Sequence, residues 1–119
     1  MLTVWGLKTC DTCKKALKWL ADEGIAFESK DVRADGVPAA DLARWVDAAG
    51  WETLVNKSST TWRNLDEADK NGLDADKAKA LLGEHPTLIK RPVFIAGDAV
   101  IVGFRDAQKQ AVQQQAAQA

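Results

Sequence analysis

Leu2-Thr3-Val4-Trp5-Gly6, followed at Cys10-Asp11-Thr12-Cys13 by the opening of a helical pattern, is the stretch on which the fold turns. The apolar run reads as a strand, and residues 11–23 read as a helix. Two thiols three residues apart on a first helical turn face each other, near enough to exchange a disulfide. The helix N-terminus adds unpaired amide N–H groups and partial positive charge, and both favour thiolate over thiol. A CxxC pair can also be structural, incidental, or half of a zinc site. Zinc usually wants four ligands, and the chain offers no third cysteine and one histidine, His85, far away in sequence. The strand-to-helix context favours redox chemistry at Cys10 and Cys13.

Working outward, Lys8, Lys14, Lys15 and Lys18 surround the pair against one carboxylate, Asp11. Such a field lowers a thiol pKa and attracts anions. A solvated helix face is the alternative for Lys15 and Lys18, whereas Lys8 and Lys14 flank the pair more closely. Gly24 supplies a helix stop, and residues 25–32 read as a second strand, which completes a βαβ unit with parallel strands. From Pro38, Leu42, Trp45, Val46 and Ala49 form an apolar helical stripe that Gly50 ends. Thr61-Trp62-Arg63-Asn64-Leu65 starts a short helix or turn, and Asp74 caps another helix with Ala78, Leu81 and Leu82 on one face. Residues 92–96 and 99–104 are apolar runs joined by Gly97-Asp98, a hairpin signal. A last helix begins near Asp106 and enters a Gln/Ala tail, about 108–119, expected to fray. This order predicts an α/β chain. The expected plan is a single thioredoxin/glutaredoxin-like domain over 1–119, with a helical insertion at about 37–86 between an N-terminal βαβ and a C-terminal ββα.

At 119 residues and 46% apolar content the chain has material for one real core. A formal net charge of −1 gives no footprint for nucleic acid or an anionic membrane, so neither is an expected direct partner. No basic stretch leads into an apolar signal region, and no run approaches the roughly 20 apolar residues of a membrane helix. Two cysteines so close together would close a tiny loop of little value to stability, and a cytosolic location is predicted. Trp5, Trp19 and Trp45 fall on apolar faces and are assigned to the core, while Trp62, among Thr60, Thr61 and Arg63, has a surface or site role open to it. In Lys90-Arg91-Pro92 the proline suits a strand start. An arginine fixed beside a thiolate would stabilise it and grip an oxyanion, but spacing alone does not place Arg91 beside Cys10.

Through Gly6-Leu7-Lys8-Thr9-Cys10-Asp11-Thr12-Cys13-Lys14-Lys15-Ala16, Gly50-Trp51-Glu52, Thr60-Thr61-Trp62-Arg63-Asn64-Leu65 and Ile89-Lys90-Arg91-Pro92, the chain resembles the arsenate reductase (ArsC)/Spx family, most closely its YffB-like branch. The resemblance covers residues 1 to about 106. It implies that Cys10 is the nucleophile, that Arg91 binds an anion and stabilises the thiolate, and that Pro92 is the cis proline of the active site. The expected activity is a glutathione-linked thiol–disulfide reductase. Cys10, Cys13 and Arg91 are its catalytic candidates, and Lys8, Thr9, Asp11, Thr12, Lys14, Trp62, Arg63 and Pro92 its substrate- or glutathione-binding candidates. No bound cofactor or metal is expected. Glutathione is the expected co-substrate, glutathione or glutaredoxin the electron-donating partner, and a small-molecule or protein disulfide the substrate. Glutaredoxin-dependent arsenate reductases use two further arginines, and the positions that line up are Asn56 and Gly103, with Lys57, Arg63 and Arg105 nearby in sequence. The alternatives are a true arsenate reductase and an Spx-type regulator, in which the CxxC pair is a redox switch and the partner is RNA polymerase.

Overall fold

The first apolar run is β1 (Leu2–Gly6), and β2 (Phe27–Asp31), β3 (Val93–Ala96) and β4 (Ala99–Val102) join it in one sheet ordered β2-β1-β3-β4. The computed structural model describes residues 2–118; Met1 and Ala119, the two ends of the expected domain and tail, lie outside them. β1 pairs parallel with β2, Val4 opposite Ser29, and antiparallel with β3, Val4 opposite Phe94. β3 and β4 form the antiparallel hairpin around Gly97-Asp98. The helices are α1 (Asp11–Asp22), α2 (Ala39–Ala49), α3 (Trp51–Leu54), α4 (Thr60–Asn64), α5 (Glu67–Lys70), α6 (Ala75–Glu84) and α7 (Asp106–Gln118), with a 3-10 turn at Pro86–Leu88 before β3. This is the thioredoxin-like plan with its helical block between βαβ and ββα.

Strand alternation divides the core in two. Leu2, Val4 and Phe94 point to one face and pack with Ala16 and Leu20 of α1 and Val112 of α7. Trp5, Val93 and Val102 point to the other and meet Leu42, Trp45 and Val46 of α2 and Leu81 and Leu82 of α6. Trp5 and Trp45 are both buried and touch edge to face at 5.5 Å. Trp19 is only half-buried and packs edge-on against Phe104 at 5.7 Å. Asp74 caps α6 as read, its carboxylate accepting the Lys77 N–H at 2.8 Å.

The second strand is shorter than the expected 25–32. Gly24, at φ 70, and Ile25 close α1 instead: the Gly24 N–H donates to Ala21 O at 3.1 Å and the Ile25 N–H to Leu20 O at 3.0 Å. This is the paired bonding of a Schellman end, and it uses Ile25 before a ladder can form. At the other end the Val32 N–H donates to Gly6 O at 2.9 Å, one bond beyond β2. The Gln/Ala segment expected to fray continues as helix to Gln118, anchored by the fully buried Val112. Among the described residues, no helix is long and apolar enough to cross a membrane.

Candidate active site

Cys10 is the residue on which α1 starts, with an extended backbone at φ −89 and ψ 115. Its N–H donates to Leu7 O at 3.0 Å, and its carbonyl accepts the Lys14 N–H at 3.1 Å, which fixes the turn from β1 into the helix. Cys13, one turn on, is buried, and both thiols are free. Burial pushes the Cys10 pKa up. Hydrogen bonds from the Cys13 thiol and N–H and from Arg91, together with the Arg91 charge, outweigh that, and Cys10 titrates below its ordinary value. For Cys13, burial comes first, and the hydrogen bond to Cys10 and the Cys10 charge add to it; despite the Leu7 backbone and Arg91, its pKa is pushed up to about 12. The pair is therefore arranged so that Cys10 ionises before Cys13, with the Cys13 thiol as a donor to it. Gly6 makes room for this: a Cβ there would stand 3.1 Å from both Cβ and Sγ of Cys13.

Arg91 stands beside Cys10, the placement that spacing could not supply. Its Nη1 donates to the carbonyls of Thr87 at 2.9 Å and Ile89 at 3.0 Å, while its buried Nε has no hydrogen-bond partner among the described residues. The Arg91–Pro92 peptide is cis, and Pro92 is buried beneath it. The insertion holds this lead-in to β3 through a bridge between Val55 and Ile89 and through the Lys90 N–H, which donates to Leu54 O at 2.7 Å. Thr61 of α4 adds a 2.7 Å hydroxyl contact to Thr87, whose carbonyl orients the guanidinium.

Lys8, Thr9, Asp11, Thr12 and Lys14 lie exposed around the pair. The positive charge that acts on Cys10 is that of Arg91, which is near it only in the folded chain. Sequence reading missed Asp31, at the end of β2. Its carboxylate accepts the Lys8 N–H at 3.1 Å and the Arg33 and Ala34 N–H groups at 2.8 Å each, tying the cysteine loop to the sheet edge. Burial raises its pKa, but the N–H groups of Ala34, Arg33 and Lys8 hold it below the usual value. The signal was present in Asp31-Val32-Arg33-Ala34-Asp35, because an aspartate that ends a strand readily caps the next turn.

Trp62 packs half-buried against the helical-block core, with the Lys57 and Lys70 ammonium groups 5.5 and 5.7 Å from its ring. Arg63 is exposed and donates to Thr60 Oγ1 at 3.3 Å. Their helix connects to the site through Thr61. Asn56 organises its own turn, its side-chain oxygen accepting the Ser58 N–H at 3.1 Å. Gly103 sits at φ 101, where an L side chain is strained, so an arginine does not fit there comfortably. Among the described residues no three His, Cys, Asp or Glu side chains gather as a metal site.

Comparison with known proteins shows what the chain as a whole is similar to. The sequence is 50% identical over 111 residues to an uncharacterized protein of Haemophilus influenzae, covering 93% of this chain and 97% of that one. It is 24% identical over 108 residues to the global transcriptional regulator Spx of Streptococcus agalactiae, covering 89% of this chain and 78% of the regulator. The solved structure of the YFFB protein superposes with a TM-score of 0.88 at 40% identity, covering 93% of this chain and 97% of that one. The ArsC family pattern matches residues 5–112, from the end of β1 to the buried valine of α7. The chain belongs to the ArsC family.

Proposed function

We propose that the protein is a cytoplasmic, glutathione-linked thiol–disulfide reductase with Cys10 as its nucleophile. The observation that carries this reading is the place of Cys10, half-exposed at the start of α1 with Cys13 and Arg91 beside it, both of which favour its thiolate. A thiolate so placed attacks one sulfur of a disulfide or glutathione mixed disulfide, forms a bond to Cys10 Sγ, and expels the other sulfur as thiolate. Once Cys10 is in a mixed disulfide its negative charge is gone, and with it two of the three influences that raise Cys13. Cys13 can then ionise, attack Cys10 Sγ and release glutathione, leaving a Cys10–Cys13 disulfide. Two further thiols, from glutathione or glutaredoxin, return that disulfide to the dithiol.

Lys8, Thr9, Asp11, Thr12, Lys14 and Pro92 are the candidate surface for glutathione, and Trp62 and Arg63 a more remote part of it. Arsenate is disfavoured as substrate. Arg91 is in place, but Asn56 is occupied by its own turn and Gly103 by its backbone, and each missing charge-assisted hydrogen bond withholds roughly 1.5–3 kcal/mol.

The test is NADPH consumption in a glutathione and glutathione reductase couple, offering a glutathione mixed disulfide and arsenate separately, with Cys10→Ser as the blank. Turnover of the mixed disulfide, lost in the blank, supports the reading. Oxidation of one equivalent without turnover would transfer it to the second reading, a redox-switched regulator whose partner is RNA polymerase; a global transcriptional regulator stands among the relatives.

A further inference from the structure

Two consecutive peptide units run from the end of β2 to the two cysteines. In the first, Gly6 O accepts the Val32 N–H at 2.9 Å, and the Leu7 N–H of the same peptide is directed at the Cys13 sulfur. In the second, the Lys8 N–H donates to Asp31 Oδ2 at 3.1 Å, and the Leu7 carbonyl of the same peptide accepts the Cys10 N–H at 3.0 Å. Val32 thus holds the peptide that meets Cys13, and Asp31 holds the peptide that meets Cys10.

The two oxygens of Asp31 have different work. Oδ1 accepts the Arg33 and Ala34 N–H groups at 2.8 Å each, which closes the turn after β2 and needs one oxygen only. Oδ2 is spent on Lys8, 23 residues back in the chain. Turn-making alone therefore leaves half of the carboxylate unexplained. The residue is 9% exposed, the one charged residue buried among those described, so water has little access to replace it. A charged acceptor on the Lys8 N–H also polarises the peptide and makes Leu7 O a stronger acceptor for the Cys10 N–H. Because Cys10 O in turn accepts the Lys14 N–H at 3.1 Å, both main-chain groups of Cys10 are tied, and the backbone aims its Cβ–Sγ bond.

We propose that Asp31 is a positioning residue of the thiol–disulfide reaction, holding Cys10 in register with Cys13 through the Leu7–Lys8 peptide so that the two sulfurs can close into a disulfide. This rests on the reductase reading above and deepens its second step. In that step Cys13 gives its proton to water and its sulfur forms a bond to Cys10 Sγ. The bond from Cys10 Sγ to glutathione breaks, and its electron pair leaves with glutathione as thiolate. Such an intramolecular attack depends on orientation, and a modest misplacement of one sulfur slows it on the order of tenfold. Asp31 makes no hydrogen bond to either sulfur and reaches the reaction only through the peptide.

The experiment mixes the full reduced chain with oxidised glutathione, quenches in acid at short times, and follows the Cys10 mixed disulfide and the closed disulfide by mass spectrometry. Asp31→Asn keeps one oxygen for the turn but presents an amide –NH2 to the Lys8 N–H. Asp31→Ser also keeps a capping oxygen and is too short to reach Lys8. In both variants the mixed disulfide is expected to accumulate, with closure slowed about tenfold. The pH midpoint for alkylation of Cys10 by iodoacetamide is expected to rise, although Arg91 and Cys13, the groups that act on Cys10, are unchanged. Removing a negative charge would by itself carry that midpoint down, so its direction separates positioning from charge. Asp74→Ala, which removes the α6 cap in the helical insertion, controls for a merely weakened fold and is expected to close at the wild-type rate. Closure at the wild-type rate in both Asp31 variants, a lowered midpoint, or equal slowing in Asp74→Ala overturns the positioning role and leaves the reductase reading standing. A wild-type chain that never reacts with oxidised glutathione overturns both.

Discussion

Replacing Arg91 by glutamine tests the electrostatic core of the site. The guanidinium lowers the Cys10 pKa by a hydrogen bond and by its charge. A hydrogen bond to a charged group contributes roughly 1.5–3 kcal/mol, and at a half-exposed sulfur, solvent screening takes it to the lower end. That corresponds to a rise of about one pKa unit in the variant. Below both midpoints the thiolate fraction then falls about tenfold. The more basic thiolate is also the better nucleophile, by about threefold per unit at a Brønsted slope near 0.4–0.5. The net expectation is reaction with a small aromatic disulfide about threefold slower than wild type below both midpoints and about threefold faster above them. The two pH–rate profiles should therefore cross. Arg91→Lys, which keeps a charge but loses the planar fork, should fall between them. A midpoint unchanged in Arg91→Gln, with the fold intact by circular dichroism, would refute the assignment of Arg91 as the cation that holds the thiolate.

Three further outcomes are expected. Cys10→Ser should abolish reaction with a glutathione mixed disulfide, whereas Cys13→Ser should accumulate a Cys10 mixed disulfide visible by mass spectrometry; equal loss from both would tell against the division of roles. Asp31→Asn should lower stability by ~1–2 kcal/mol in urea titrations at neutral pH, because the carboxylate that gathers three N–H groups is replaced by a weaker acceptor with an N–H face of its own. The Asp31 pKa is depressed in the folded state, so its contribution is present above the unfolded value and disappears as pH falls through the folded one. The difference between wild type and variant should accordingly close in acid, and a constant difference would contradict the carboxylate's role. Phe94→Ala, at a fully buried site between the sheet and α1, should cost roughly 3–5 kcal/mol by the same titration.

What was legible in the sequence was what is local. The period of Leu2 to Gly6, the thiol spacing on the first turn of α1, the stripe at Leu42, Trp45 and Val46 and the Gly97-Asp98 hairpin each depend on residues within a few positions, and each reads directly. The start of β2 was misread because Ile25 has β-strand chemistry but is spent closing a helix, a hydrogen-bonding matter that its side chain does not advertise. Lys8 and Lys14 looked like the cations of the site because they are near in sequence, yet an exposed ammonium is screened by water, and the charge that acts on Cys10 arrives from residue 91. Asp31 escaped notice for a related reason. Its value lies in collecting the N–H of Lys8, 23 residues away, which only the parallel pairing of β1 with β2 brings within reach.

The helical insertion follows from the same long-range logic. A thioredoxin-like sheet needs something to cover the face carrying Trp5, Val93 and Val102, and α2 and α6 do that with Trp45, Val46 and Leu82. Cover alone, however, does not require Thr61 to meet Thr87, or the Lys90 N–H to find Leu54 O. Those contacts hold the segment that leads into Arg91, whose guanidinium hangs from the carbonyls of Thr87 and Ile89. The insertion therefore fixes the position of the cation as well as covering the sheet. Thr61→Val separates the two roles, because it keeps the packing volume and removes only the hydroxyl contact. It should leave the stability of the fold close to wild type and move the Cys10 midpoint upward by a fraction of the Arg91→Gln shift. If Thr61→Val leaves that midpoint where it was, the insertion is cover and nothing more.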